Sequence, residues 1–208
     1  VVQHDDGQTI DRFRNRLMCP VFSQTGRIIA FSGRILPGET DPEKAQAKYI
    51  NSPESAIFRK GEVLFGLHAS RAAIRRLGFA ILVEGNFDLL QMHEHEIDNV
   101  VAPMGTAFTV EQAQVLRRYA PKVVLLFDGD EAGRKAARAS FAVTAAAGLR
   151  AEVAMLPAGQ DPDSYLRDKG ADALRALCSN GKGIVEHLID EAAARGGRTV
   201  QDPAATIS

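Results

Sequence analysis

Three short apolar runs in this chain of 208 residues each hand over to a pair of carboxylates. The run 79–83 leads into Glu84, Gly85, Asn86, Phe87 and Asp88; the run 123–127 into Asp128, Gly129 and Asp130; the run 151–156, shortly afterwards, into Asp161, Pro162 and Asp163. Glu84 and Asp88, four apart, would share one face of a helix. Asp128 and Asp130, two apart in extended chain, would point to one side, with Gly129 leaving room for close approach. Pro162 stiffens the turn between Asp161 and Asp163. Two unit charges about 4 Å apart repel by roughly 4 kcal/mol at an effective dielectric near 20, so such a cluster stays ionised and compact only around a cation. Donors that are all oxygen suit Mg²⁺ or Mn²⁺, which complete their shells with water and substrate phosphates. A lone Asp after a strand is more often a helix cap or turn former. Three pairs in succession point to one metal-dependent site instead.

Acids from three strands can meet only if the strands lie side by side and run the same way. From Leu67 onward the sequence has that order: a helical face over Leu67, Ala73, Ile74 and Leu77 closed by Gly78, then strand 79–83, helix 87–95, strand 99–102, helix 110–119, strand 123–127, helix 132–147 and strand 151–156. Strands this continuously apolar predict a mainly parallel sheet covered by helices on both faces. Such sheets place their ligands beyond the carboxyl ends of the strands, where the acids stand. Residues 10–66 read differently, with apolar runs at 17–22 and 27–31 broken by Gly26, Gly33, Pro37, Gly38 and Pro53. That predicts a small β-rich annex, with 38–47 an exposed loop. After Pro157 helical patterns return at 164–168, 172–178 and 184–194, ahead of a tail expected to be loose. The expected class is therefore α/β, divided into a basic β-rich part over 1–66, a sheet-and-helix domain over 67–165 and a helical segment with tail over 166–208.

Composition bounds the rest. Apolar residues at 45% and charged residues at 25% exclude a disordered or fibrous chain. The net charge of −1 names no partner, but charge is unevenly placed, since Arg12, Arg14, Arg16, Arg27 and Arg34 occur with no acid among residues 12–34, and Lys48, Arg59 and Lys60 follow. Two cysteines, Cys19 and Cys178, are too few for a zinc site or disulfide framework and fit a reducing compartment. No apolar run approaches the roughly 20 residues of a membrane span, and no secretory signal opens the chain. The missing initiator Met leads to the expectation of a fragment.

A Glu-Gly-x-x-Asp strand end, followed some forty residues later by an apolar run and Asp-Gly-Asp, resembles the TOPRIM domain of bacterial primases, topoisomerases and some nucleases, over residues 79 to about 165. The resemblance implies that Glu84, Asp88, Asp128, Asp130, Asp161 and Asp163 surround one or two divalent metals. It puts Met104-Gly105-Thr106 at the family's Gly-Thr loop. The annex text Arg12-Phe13-Arg14-Asn15-Arg16-Leu17-Met18, then residues 26–34, then Lys48-Tyr49-Ile50-Asn51-Ser52-Pro53-Glu54, then Phe58-Arg59-Lys60-Gly61 is similar to DnaG-type bacterial DNA primases. Ser32 is a departure, standing where many relatives carry Gly. The resemblance extends to residues 11–190 and implies an RNA polymerase core that joins ribonucleoside triphosphates on single-stranded DNA, giving an RNA–DNA hybrid. Glu84, Asp128 and Asp130 would then hold the metal nearest the chemistry, with Asp88, Asp161 and Asp163 at a second or outer position. Arg34, Lys48 and Lys60 would contact nucleotide phosphates or template, beside Asn51. Also expected are a cytoplasmic place at the replication fork, a monomer, and a replicative helicase that meets the full-length protein through a domain outside this chain. No zinc-ribbon cluster precedes the annex, and the chain is expected to begin inside the polymerase core.

The rivals are a TOPRIM nuclease, a non-catalytic nucleic-acid-binding module, and a haloacid-dehalogenase-like phosphotransfer enzyme in which Asp128 attacks phosphorus. That last family reads Asp-x-Asp-Gly, and Glu131 stands where its Gly belongs. His93-Glu94-His95 is expected to be polar helix surface, because residues two apart on a helix diverge. Phe13, Phe22, Phe31 and Tyr49 could stack bases in a groove, but aromatic residues on short strands are usually core, and no role is assigned to them.

Overall fold

In a computed structural model, residues 2–3, 9–36 and 47–196 are described. The expected loop at 38–47 lies outside them but for Ala47, as does the tail 197–208. The described elements, in chain order, are β1 (Val2–Gln3), β2 (Thr9–Ile10), β3 (Arg16–Phe22), β4 (Ile28–Ile35), β5 (Tyr49–Asn51), β6 (Leu64–Phe65), α1 (Leu67–Leu77), β7 (Phe79–Leu82), α2 (Asn86–Glu94), β8 (Val100–Pro103), α3 (Val110–Arg117), β9 (Lys122–Phe127), α4 (Glu131–Ala147), β10 (Arg150–Met155), α5 (Pro162–Ser179), β11 (Lys182–Gly183) and α6 (Ile184–Gly196).

A six-stranded sheet runs β11-β10-β9-β7-β8-β6. The central β10, β9, β7 and β8 are parallel, as the alternating sequence requires, while the edge strands β6 and β11 are antiparallel to their neighbours. Both edges span two residues, too few to show a period, so the sequence does not predict them. The central strands are buried on both sides because their apolar residues alternate between two cores. Ile81, Val83, Val100, Ala102, Val124 and Leu126 face one, with Leu89 and Met92 of α2 and Leu166 and Leu174 of α5. Ala80, Leu82, Val101, Val123, Leu125 and Phe127 face the other, with Ile74 of α1, Ala113 and Leu116 of α3 and Ala137 of α4. Each such aliphatic contributes about 1.5–3 kcal/mol on leaving water, so the register of this sheet is firmly set.

The annex is an antiparallel sheet in the order β3-β4-β5. Its Cys19, Val21 and Ala30 join the first core, together with Phe58. Phe22, Phe31 and Tyr49 are each about two-fifths exposed and so are not core. For Phe31 the cause is alternation, since a sheet packed on one side sends every second residue to water, whereas Tyr49 lies opposite Arg34 on the groove side of the sheet and Phe22, past a register shift in β3, stacks on His68.

The first C-terminal helix begins two residues earlier than predicted, and the last begins at Ile184 as predicted. Pro162 opens α5 at its first turn, where a missing N–H is no loss. Gly170 leaves the helical range at φ 81°, so α5 is two helices in contact, matching the two predicted segments.

Candidate active site

The acids leave the sheet as the strand order requires, but each is held by its own local device. Glu84 follows β7 by two residues and precedes α2, which begins at Asn86. It therefore does not share a helix face with Asp88. Asp88 lies in the first turn of α2 and folds back to accept the Gly85 N–H at 3.0 Å. Asp128 directly follows β9, and the Gly129 after it passes so close to β10 that a Cβ there would lie 2.3 Å from the Leu156 carbonyl oxygen. Asp130 caps α4, its Oδ1 accepting the Gly133 N–H at 2.8 Å; Asp161 caps α5, accepting the Ser164 N–H at 2.8 Å. Capping by Asp is thus realised at two of the strand ends, in addition to whatever the charges do together.

Glu84, Asp88, Asp128 and Asp161 line one groove of about 360 Å³ with Ser32, Lys48, Tyr49, Asn51, Asn86 and Phe87. A depression of about 200 Å³ holding Asp128, Gly129, Asp130 and Asp161 adjoins it. The far wall is the annex. Arg34 of β4 lays its guanidinium 4.5 Å from the centre of the Phe87 ring of α2 and 5.7 Å from that of Tyr49 in β5. Lys48 lies 5.6 Å from the Tyr49 ring. Two amides bridge the walls: Asn51 Nδ2 donates to the Met104 carbonyl at 3.0 Å, and Asn86 Nδ2 to Ser32 Oγ at 3.1 Å. Arg12 Nε donates to the Asn51 carbonyl at 3.1 Å and steadies β5.

The acids disfavour one another. Burial, then the Asp128 charge, push the Asp88 carboxyl up to about 6, against the Gly85 hydrogen bond. Burial and the Asp128 charge also raise Glu84, and burial with Asp130 and Asp161 raises Asp128. Asp161 moves the other way, because the Ser164 hydroxyl and N–H stabilise its ionised form. Among the described residues no Lys or Arg forms an ion pair with Glu84, Asp88, Asp128 or Asp130. Nor are any three His, Cys, Asp or Glu side chains there grouped so as to hold a metal ion among them. Uncompensated oxygen donors of this kind fit a hard dication that needs one or two direct carboxylates and fills its shell with water and phosphate. They do not fit an all-protein cage.

Residues 1–71 match the family described as DNA primase catalytic core, N-terminal domain, and residues 81–166 match the Toprim-like family. The RNA polymerase domain of the Mycobacterium tuberculosis primase DnaG superposes with a TM-score of 0.83 at 32% identity, covering 97% of this chain and 70% of that one. The chain belongs to the bacterial DnaG primase family. The DNA primase of Aquifex aeolicus is 43% identical over 182 residues, which are 88% of this chain and 36% of that protein. The chain thus spans about a third of the length of that full primase. A DnaG primase catalytic domain solved bound to single-stranded DNA superposes with a TM-score of 0.83 at 33% identity, covering 93% of this chain and 62% of that one. Primases with a Toprim-like domain use divalent metal ions.

Within this primase fold the predicted residues divide. Glu84, Asp88, Asp128 and Asp161 share the groove with Lys48 and Asn51, Asp130 sits in the adjoining depression, and Arg34 stacks on the rim. Asp163 pairs instead with Arg167 at 2.8 Å, one helical turn on. Lys60 lies on the connection between β5 and β6; its N–H donates to Glu54 and its carbonyl accepts from Gln112, and its side chain is not part of the groove lining. Sequence reasoning gave no role to Asn86, Phe87 or Ser32. The first two were the unspecified positions of Glu-Gly-x-x-Asp, and only that central placing could have marked them. His93 is half-buried, with Nε2 3.1 Å from Ser70 Oγ, and is not the polar surface expected.

Proposed function

We propose that this chain is the polymerising part of a primase, extending RNA from ribonucleoside triphosphates on a single-stranded DNA template. The observation that carries the reading is the opposition across one groove of an uncompensated acidic wall and a cationic, aromatic wall. Residues 1–66 supply the second wall, 67–165 the first, and the third part, 166–208, is described to Gly196 as helices that include part of the support beneath it.

In this reading Glu84, Asp128 and Asp130 would seat a Mg²⁺ or Mn²⁺ nearest the reacting phosphate, one or two of them directly and the rest through water, and Asp88 and Asp161 would serve an outer position; Asp163, turned to Arg167, at most braces Asp161. The metal, when bound, neutralises charge on the attacking 3′ oxygen and the leaving pyrophosphate. Arg34 holds phosphate by its forked donors while its plane rests on Phe87, and Lys48 acts as a mobile point charge. Asn51 fixes the β5 edge of the groove against the Met104–Gly105 turn. Partners for the whole protein are the template, the RNA–DNA hybrid and a replicative helicase, at the replication fork in the cytoplasm, with the core acting as a monomer. Among the described residues no helix is long and apolar enough to cross a membrane.

The test is incubation of the chain with single-stranded template, Mn²⁺ and labelled ribonucleotides. Template-dependent oligomers are expected. Loss of template without synthesis would move the reading to a nuclease, and retention of template with neither reaction to a binding module.

A further inference from the structure

Among the described residues three buried side-chain polar atoms lack a hydrogen-bond partner: Asn51 Oδ1, Asn86 Oδ1 and His187 Nε2. Two of the three belong to residues lining the groove, one from each wall. In both, the nitrogen end of the amide is already committed, Asn51 Nδ2 to the Met104 carbonyl and Asn86 Nδ2 to Ser32 Oγ. Because the Met104 carbonyl can only accept, the Asn51 amide cannot be turned over without breaking that bond. Ser32 is itself buried, so its hydroxyl holds Asn86 without competition from bulk water.

Carbonyl oxygens shielded from water and left without donors are a standing penalty on the fold, relieved when a ligand supplies the missing donors. Two such acceptors, on residues that line one groove from opposite walls, suit a ligand with two donors toward which the amides can turn. If the groove takes nucleotides, as proposed above, the choice of donor is narrow. Ionised phosphate oxygens only accept. Exocyclic base amines are missing from uracil, whereas templated synthesis needs contacts common to all four bases. The vicinal 2′ and 3′ hydroxyls are shared by every ribonucleotide and are incomplete in every deoxyribonucleotide.

We propose that Asn51 and Asn86 accept hydrogen bonds from the ribose hydroxyls of the bound nucleotide, with Ser32 as the positioning residue that aims Asn86. The groove would then select ribonucleotides by the principle that a site built around substrate hydroxyls rejects the analogue that leaves its polar groups unpaired.

Calorimetric titration of the whole chain in Mn²⁺ with UTP and with 2′,3′-dideoxy-UTP isolates the diol, since the base and triphosphate are the same in both. The unaltered chain is expected to prefer UTP by at least about tenfold, and Asn86→Ala to remove most of that preference by weakening UTP alone. Ser32→Ala keeps volume and removes only the anchor, so it should lower the preference by a smaller factor; it also carries the test if Asn86→Ala shows a lost thermal transition. Equal binding of the two nucleotides by the unaltered chain, or equal weakening of both in the variants, overturns the ribose assignment and leaves the nucleotide reading standing. Binding of neither overturns both.

Discussion

Glu84 and Asp128 leave strands whose side chains are buried on both faces, and Asp130 and Asp161 are pinned as helix caps. Arg34 and Lys48 across the groove stand on a three-stranded sheet with one open face and are held mainly by contact with the Tyr49 and Phe87 rings. The acidic wall inherits its positions from core packing, so its charges are kept close although burial and mutual repulsion raise Glu84, Asp88 and Asp128. The basic wall inherits its positions from stacking and a few bridging hydrogen bonds, which let side chains adjust to a ligand. One side of the site is rigid and electrostatically unfavourable alone; the other is adaptable and near neutral in its effect on stability.

The sharpest way to break this contrast is to neutralise the centre of the rigid wall. Asp128→Asn should lower primer synthesis by on the order of a thousandfold, the scale seen when a preorganised electrostatic group is removed. The same change should raise the thermal midpoint of the metal-free chain, because Asp128 is the strongest charge acting on both Glu84 and Asp88. Synthesis assays and thermal melts in EDTA check the two halves, and a variant that is both inactive and less stable would refute the idea that repulsion is stored there. Next in size is Gly129→Ala. A Cβ 2.3 Å from the Leu156 carbonyl oxygen and 2.6 Å from Pro157 C meets backbone that cannot yield like a side chain. About 2–3 kcal/mol of destabilisation is expected in urea unfolding, with Asp128 and Asp130 displaced together.

The same contrast explains what the sequence could reveal. Strands such as Lys122–Phe127 are legible because five consecutive buried residues leave no other option, and the acids at their ends follow. The spacing of Glu84 and Asp88 suggests a shared helix face, and misleads because the helix starts two residues late, at a Gly85 N-cap that carries no side-chain signal. Asp163 has the same spacing logic as Asp130 but is drawn off by Arg167, a competition that spacing cannot express. The annex is less legible still. The Ser32–Asn86 hydrogen bond joins residues 54 apart, and the Arg34–Phe87 stack joins β4 to α2; neither is encoded in any local period. The exposure of Phe31 depends on which face of the small sheet meets the core, a tertiary choice.

If the basic wall is the adaptable one, its removal should be felt in binding before it is felt in folding. Arg34→Ala or Lys48→Ala should leave the thermal midpoint within a degree or two and flatten the salt dependence of single-stranded DNA binding, by about 0.7 in log–log slope for each phosphate that is no longer neutralised. Arg34→Lys tests the stack separately: it keeps the charge but gives up the planar fork over Phe87, so affinity should fall with the slope nearly unchanged. An unaltered slope in both alanine variants would remove these residues from the nucleic-acid path.

The smallest expected effect concerns the support behind the acidic wall. Ser70 Oγ donates to the Val100 carbonyl at 2.6 Å, so in its contact with His93 Nε2 it is the acceptor, and the neutral imidazole carries its proton on Nε2. Burial lowers the affinity of His93 for a second proton, against a weaker opposing pull from Asp98. The folded chain thus binds fewer protons at this site than the unfolded chain, so the contribution of His93 is fully present above pH 6.5 and is lost as pH falls from there through the lower folded value. Asp88 acts in the opposite sense, since protonation below about 6 relieves the repulsion around it. Unfolding of the metal-free chain at pH 7 and pH 5.5, compared with His93→Gln, separates the two: the variant should lose less on acidification than the parent, by under about 1 kcal/mol. The same acidification of Asp88→Asn, which keeps His93 and lacks the compensating carboxyl, should give the steepest loss. A parent and a His93→Gln chain that respond identically would show that His93 does not set the acid response, and would leave it to the raised carboxyls of Glu84, Asp88 and Asp128.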